Sequence, residues 1–165
     1  MTLSYMDVVS ALIFILPAYC ANAAPVIFGG GKPLDYGRPF IDGKPIFGPH
    51  KTIRGLIAGI LIGLIATLVL NLLISYDISI GVVTSIGAMI GDIAESFFKR
   101  RFDLKPGYSL PLADQLDFVL GALTFSFIVS PPTPLTVLLV SIVTPPIHLL
   151  TNLLAYLFGL KKNPW

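Results

Sequence analysis

Charge is scarce in this chain: Asp, Glu, Lys and Arg make up 12% of its 165 residues, and apolar residues make up 55%. A soluble domain of that size needs far more charged surface, so the soluble class is excluded. A mean hydropathy of +0.84 points to the membrane class. Cysteine is nearly absent. Cys20 stands alone, so no intrachain disulfide can form and no redox compartment can be inferred. A lone thiol in an apolar run reads as a small hydrophobe. With two histidines and one cysteine there is no zinc-ligand cluster. Neither His50 nor His148 sits in a nucleophile–base pattern, and His148, in an apolar run, reads as a packing residue. No internal repeat is evident, which argues against an inverted-repeat transporter.

What the chain has is long apolar runs. A bilayer core of ~30 Å needs about 20 such residues per helix. Five segments are expected to span: Leu3–Ile27, Gly55–Ser75, Ile78–Phe98, Leu112–Ser130 and Leu135–Phe158. The fourth is the least apolar, with Asp114 and Asp117 in its first turns, and the fifth contains Pro145-Pro146, a pair expected to kink it. The expected fold is all-α, a polytopic membrane protein with five transmembrane helices in a single domain, 1–165.

All 11 Lys and Arg residues fall on three segments. Lys32, Arg38, Lys44, Lys51 and Arg54 follow the first helix, Lys99, Arg100, Arg101 and Lys105 follow the third, and Lys161 and Lys162 close the chain. The other connections carry none. The positive-inside rule then puts the N-terminus outside and the C-terminus in the cytoplasm, which requires an odd number of spans. "ANAAP" offers a signal-peptidase-like A-x-A pattern, but the segment before it lacks a positive n-region and carries Asp7, so a retained helix is expected.

Gly55, Gly59 and Gly63 in the second helix, and Gly87 and Gly91 in the third, recur at the four-residue spacing that lets helix backbones approach in lipid. Close packing of these two helices is expected. The same spacing leaves a homodimer open.

Charges then gather in an unexpected place. Asp92, Glu95, Ser96 and Lys99 fall at i, i+3, i+4 and i+7, on one face of the third helix. Asp114 and Asp117 share a face by the same rule. A solvated rim accounts for Arg101 and Lys105. It does not account for Asp92 and Glu95, which lie a turn or more inside the apolar run, where carboxylates face a site or a pathway. Carboxylates mixed with Lys and Arg suit a metal–polyphosphate ligand: Mg²⁺ takes one or two carboxylates plus phosphate oxygens, and the cations neutralise the remaining charge. "FGGGKP" and "YGRPFIDGKPIFGPHKT" do not match G-x-x-x-x-G-K-[ST], and loop glycines alone are weak support for a phosphate loop.

Here the run "GDIAESFFKRRFDLKPGYSLPLADQLD" resembles the signature of the CDP-diacylglycerol synthase family, G-D-x-x-E-S-x-x-K-R followed by K-D, P-G-H-G-G and D-R-x-D. Gly91, Asp92, Glu95, Ser96, Lys99 and Arg100 match at the same spacing. "KTIRG", Lys51 to Gly55, is similar to the family's K-T-W-E-G before a helix. The chain departs from the pattern where Lys105 precedes Pro106 rather than Asp, where the P-G-H-G-G turn is missing, and where Gln115 replaces Arg. Contacts of those missing groups are not carried over. The small size and trimmed motif resemble the archaeal branch, the CDP-archaeol synthases.

The resemblance implies Mg²⁺-dependent transfer of CMP from CTP to an isoprenoid ether-lipid phosphate, 2,3-bis-O-geranylgeranyl-glycerol 1-phosphate, at the cytoplasmic face of the cell membrane. The ionised lipid phosphate is itself the nucleophile, so no general base is required. Asp92, Asp114 and Asp117 are the implied metal ligands, and Lys99 and Arg100 the triphosphate contacts, with Ser96 as a hydrogen-bond donor. Lys51 and Thr52 would hold nucleotide phosphate at a helix N-terminus. Glu95 would orient Lys99 or reach the metal through water, and Asp92, Glu95, Lys99 and Asp117 form the implied catalytic set. Asn22 is a further candidate for nucleotide contact, and Arg38 and Lys44 for the lipid headgroup. No nucleic-acid partner is expected. Three rivals make other predictions: a CDP-alcohol phosphotransferase needs a D-G-x-x-A-R run that is absent, a small ion or proton transporter explains the carboxylates but not the cations beside them, and a scaffold is the least specific reading.

Overall fold

The computed structural model describes residues 3–105, 108–161 and 163; Pro106 and Lys162 lie outside them. Five helices follow one another: α1 Tyr5–Phe28, α2 Ile53–Ile74, α3 Ile78–Arg101, α4 Ala113–Ser126 and α5 Pro134–Leu157. Four of them (α1, α2, α3 and α5) are long and apolar enough to cross a membrane. At 14 residues, α4 is about 21 Å long, shorter than a bilayer core. The chain is thus all-helical, with four candidate spans and one shorter helix packed among them.

Local chemistry marks most of the starts. Ser4 and Asp7 form a reciprocal capping box on α1, Thr52 caps α2, Asp77 caps α3, and Thr133 caps α5 just ahead of Pro134. The exception is α4. Leu112 precedes it with a left-handed φ of 67° and no side-chain cap, a backbone state that costs free energy in any residue but glycine. α5 continues as helix through Pro145 and Pro146.

Helix α1 is the centre of the molecule and touches each of the other four. Its Ile15 and Ala18 are fully buried and pack with Ala88 of α3, Phe118, Val119 and Ala122 of α4, and Val140 of α5, while fully buried Ala21 lies against α2. Cleavage at "ANAAP" would remove the middle of this core. Buried hydroxyls are satisfied within their own helices: Thr67 donates to the Gly63 carbonyl, Ser85 to Gly81 and Thr144 to Val140. That is the economical arrangement where no water competes.

The glycines act inside the chain, with one correction to the expected pairing. Gly59 and Gly63 sit against Met89 and Ser85 of α3 and against Ala21 of α1. Gly87 and Gly91, however, face α4 rather than α2. A methyl group added at Gly91 would collide with the backbone carbonyl of Asp117, and one at Gly121 with that of Gly87. The α3 and α4 backbones therefore touch at the level of Asp92 and Asp117. Periodicity alone does not name a partner, because any small-residue stripe fits any other.

Candidate active site

The site assembles at one end of the bundle, where the C-terminal half of α3, the N-terminus of α4 and the loop between α1 and α2 meet. Loop 29–52 is ordered by its own turns. Leu34 N–H donates to the Lys51 carbonyl and Ile53 N–H to Lys32, so the entry and exit of the loop run side by side. Buried Asp35 organises the middle, accepting from the N–H groups of Gly37, Phe47 and Gly48 at 2.9–3.0 Å. Burial pushes its pKa up, but these backbone donors outweigh it and hold the carboxyl below its ordinary value. Sequence reading passed over Asp35; its signal was the Asp-x-Gly turn at Asp35–Gly37, which looks like any loop turn.

Zipping the loop in this way aims Lys51 across to α3. Its Nζ lies 2.6 Å from Asp92 Oδ1. Thr52, buried beside it, uses its Oγ1 to accept from Gly55 N–H as the α2 cap, which leaves its hydroxyl proton free to donate. A small cavity of about 40 Å³ lies against Lys51, Thr52 and Asp92, with Pro25, His50 and Met89 among its walls.

Lys99, only 8% exposed, bridges α3 and α4. Its Nζ is 2.6 Å from both Glu95 Oε1 and Asp114 Oδ1, and it donates to the Tyr108 carbonyl at 3.0 Å. The Glu95 contact is ionic rather than an aligned hydrogen bond. Asp114 Oδ1 also accepts from Leu110 N–H. Asp117 lies within electrostatic reach of Asp92, Glu95 and Lys51, and one of its oxygens takes the Phe118 N–H. Among the described residues no three His, Cys, Asp or Glu side chains converge as a ready metal cage.

Of the remaining sequence candidates, Ser96 is buried on the same α3 face. Arg100, 6% exposed, reaches the Lys105 carbonyl with one nitrogen at 3.4 Å, while its Nε and Nη1 have no partner among the described residues. Asn22 is half-buried on α1, one turn before Pro25 of the cavity wall, and makes no side-chain hydrogen bond among the described residues.

Two expectations need correcting. Arg101 does not mark a solvated rim: its guanidinium lies 4.8 Å from the ring centroids of both Phe40 and Phe97, pairs with Asp42 and donates to the Pro45 carbonyl. Lys44 is not free for a headgroup, because it pairs with Asp103 at 2.7 Å and donates to the Arg101 carbonyl. Together they clamp the loop onto the end of α3. The tail adds a residue that sequence treated only as an orientation marker. Lys161 lies within electrostatic reach of Asp114; burial pushes its ammonium below the usual lysine value, and the carboxylate opposes that shift. His148 stacks on Phe118, next to Asp117, and its Nδ1 meets Asn152 Nδ2 at 3.2 Å.

A helical bundle with four helices of membrane-crossing length, and lysines and carboxylates interleaved at one end, defines a multi-pass membrane protein with a polar site at that end. Comparison makes the assignment specific. The family model described as "CarS-like: CDP-archaeol synthase" matches residues 5–165. CDP-archaeol synthase of Methanosarcina barkeri is 44% identical, with 92% of this chain and all of that one aligned. The Methanocaldococcus jannaschii and Pyrococcus furiosus enzymes of the same name are each 40% identical, over 98% and 96% of this chain and 99% and 98% of theirs. A solved structure of an intramembrane enzyme for archaeal membrane lipids biosynthesis superimposes with a TM-score of 0.83 at 38% identity, covering 88% of this chain and 94% of the other. The chain belongs to the CDP-archaeol synthase family.

Proposed function

We propose that this enzyme transfers CMP from CTP to the phosphate of an isoprenoid ether lipid, forming CDP-archaeol and pyrophosphate. The observation that carries the reading is the lysine–carboxylate pairing across the α3–α4 contact, in a chain of this family. An oxygen of the ionised lipid phosphate attacks the α-phosphorus of CTP, the bond from that phosphorus to the β-phosphate oxygen breaks, and pyrophosphate leaves with the electron pair. The attacking group is already an anion, so no side chain has to remove a proton.

The residues' work is positioning and charge neutralisation. Lys51 and Lys99 each rest on carboxylates, and the triphosphate offers them a partner of higher charge. Arg100, with two nitrogens free of partners among the described residues, adds a third cation, and the Ser96 and Thr52 hydroxyls can donate to phosphate oxygens. Glu95 keeps Lys99 on its face of the helix. Asn22, on α1 one turn before Pro25, would serve the nucleoside end.

For Mg²⁺ the donor set fits at Asp92 and Asp117, two carboxylates brought together where the α3 and α4 backbones meet, which is the number Mg²⁺ takes alongside phosphate oxygens and water. Asp114, held by Lys99, would act on that group through water. Bound there, Mg²⁺ would neutralise charge building on the leaving pyrophosphate.

The finer topology belongs to the same proposal. With α4 and the turn after it making a fifth, short crossing, the N-terminus lies outside and the site faces the cytoplasm, as the cation distribution requires. One domain carries the whole activity. A homodimer would use exposed apolar helix faces such as Leu138, Ile142, Leu149 and Leu153 of α5, since the glycine stripes are used within the chain. The test is lipid-dependent pyrophosphate release by the detergent-purified chain given CTP, Mg²⁺ and the ether-lipid phosphate. The wild type is expected to release it, and Asp117→Asn to fall by about 100-fold or more. No release with either ether or diacyl lipid phosphate, and no CTP binding, would sink the reading.

A further inference from the structure

The cytidylyl-transfer reading leaves open where the lipid substrate sits, and one feature outside the acidic site answers to its chemistry. A groove of about 620 Å³ runs along the outer side of α2 and under the end of α1. That volume lies within the ~300–1,000 Å³ of sites that hold a sizeable apolar ligand. Its walls are Phe28, Ile57, Leu61 and Ile65, and Lys32 and Arg54 stand at the loop end. Both cations are exposed, and neither side chain has an ion-pair or hydrogen-bond partner among the described residues. Lys44, Lys51, Lys99 and Arg101, by contrast, are each committed to a carboxylate.

The dimensions are those of one leaflet. From Ile53 to Ile65 the wall descends roughly 18 Å, against about 15 Å for half a bilayer core. A ligand filling it has an anionic head at the loop end and apolar chains reaching toward the midplane. The groove also adjoins the chemistry. Arg54 belongs to the first turn of α2, just after Lys51 and Thr52, which border the Asp92 cavity on the neighbouring side of the same turn.

We propose that this groove is the docking site of the lipid-phosphate substrate, with Lys32 and Arg54 holding the phosphate monoester and the α2 face holding an isoprenoid chain. The proposal rests on the cytidylyl-transfer reading. It assigns the headgroup contacts to Lys32 and Arg54, which have no partner among the described residues, and not to Lys44, which is consumed by the loop clamp.

The experiment measures KM for lipid phosphate and for CTP separately, in the purified wild type, in the double variant Lys32→Gln/Arg54→Gln, and in Ala58→Trp, which fills the groove from the wall that Ala58 shares with Ile57 and Leu61. For the double variant, lipid KM is expected to rise about 100-fold, about tenfold for each of two lost charge-assisted contacts, with CTP KM unchanged. Ala58→Trp is expected to lose turnover of the long-chain substrate and to keep turnover of a short-chain, water-soluble lipid phosphate. Unaltered lipid KM in both variants would overturn the assignment, as would an equal rise in CTP KM, which would give the cations to the nucleotide. Competitive inhibition of the wild type by an anionic phosphodiester lipid at the substrate's own affinity would also overturn it, by making the groove a general lipid seat. An inactive wild type would instead indict the cytidylyl-transfer reading itself, so the two failures are distinguishable.

Discussion

Single side chains here divide by what they touch, and their variants should divide in the same way. Asp92 meets Lys51 and faces Asp117, so Asp92→Asn removes a charge at constant volume. Turnover is expected to fall by about 100-fold or more, with the unfolding midpoint in detergent little moved; activity near that of the wild type would remove Asp92 from the site. Lys99→Ala should act through CTP, raising its KM or abolishing turnover. Arg101→Ala should act through the fold, because the guanidinium joins Phe40, Phe97, Asp42 and Pro45 into one clamp. A loss of about 1–3 kcal/mol is expected from two ring contacts and a broken pair, with CTP KM in the surviving folded fraction nearly unchanged. Asp35 supplies the pH test. Its folded pKa is depressed, so its stabilisation is complete above the unfolded carboxylate pKa of about 4 and is lost as pH falls through the lower folded value. Wild type and Asp35→Asn should therefore differ in stability by roughly 2–3 kcal/mol at neutral pH, and unfolding curves should converge as the solution is made strongly acid. A gap that persists unchanged at low pH would contradict the charge-based account.

At the scale of elements, the decisive contact is between α3 and α4. Gly87, Gly91 and Gly121 let the backbones touch, and that contact sets the position of Asp117 relative to Asp92. Gly121→Ala places a methyl group against the Gly87 carbonyl and the Gly91 backbone, neither of which can rotate away. Overpacking of this kind costs about 1–3 kcal/mol. The telling readout is activity: turnover should drop even at temperatures where far-UV circular dichroism still reports a folded bundle, because the helices separate before they unfold. The same element-scale logic corrects the sequence reading. The glycine stripes were legible, but their partners were not, since the α3 stripe could have faced α2 or α4 and only packing of the whole bundle chooses.

For the whole molecule, the proposed topology places Ser130 outside and Tyr36 in the cytoplasm, which labelling can test. With a C20A background, a cysteine introduced as S130C should react with a membrane-impermeant maleimide from outside intact cells, and one introduced as Y36C should react only after lysis. The reverse pattern would put the site on the wrong side for cytoplasmic CTP. Much of this frame was open to reading from the sequence alone. The helical class, the positions of four long helices and the shared face of Asp92, Glu95, Ser96 and Lys99 follow from local rules, since hydropathy and a 3.6-residue period act over a few neighbouring residues. The family resemblance could be read as well, because its motifs are two short runs, each contiguous in the chain. Other features depend on residues far apart in sequence and close in space. The bond from Lys51 to Asp92, the Lys99 bridge to Asp114, the clamp of Arg101 between Phe40 and Phe97, and the approach of Lys161 to Asp114 all belong to this second kind. Composition identified these residues as charged or aromatic and left open whether each would meet water, lipid or a partner. Only the folded bundle decided that, because it brings chain-distant residues together: Lys51 reaches Asp92, Lys99 reaches Asp114 and Arg101 reaches Asp42, while Lys32 and Arg54 stay exposed.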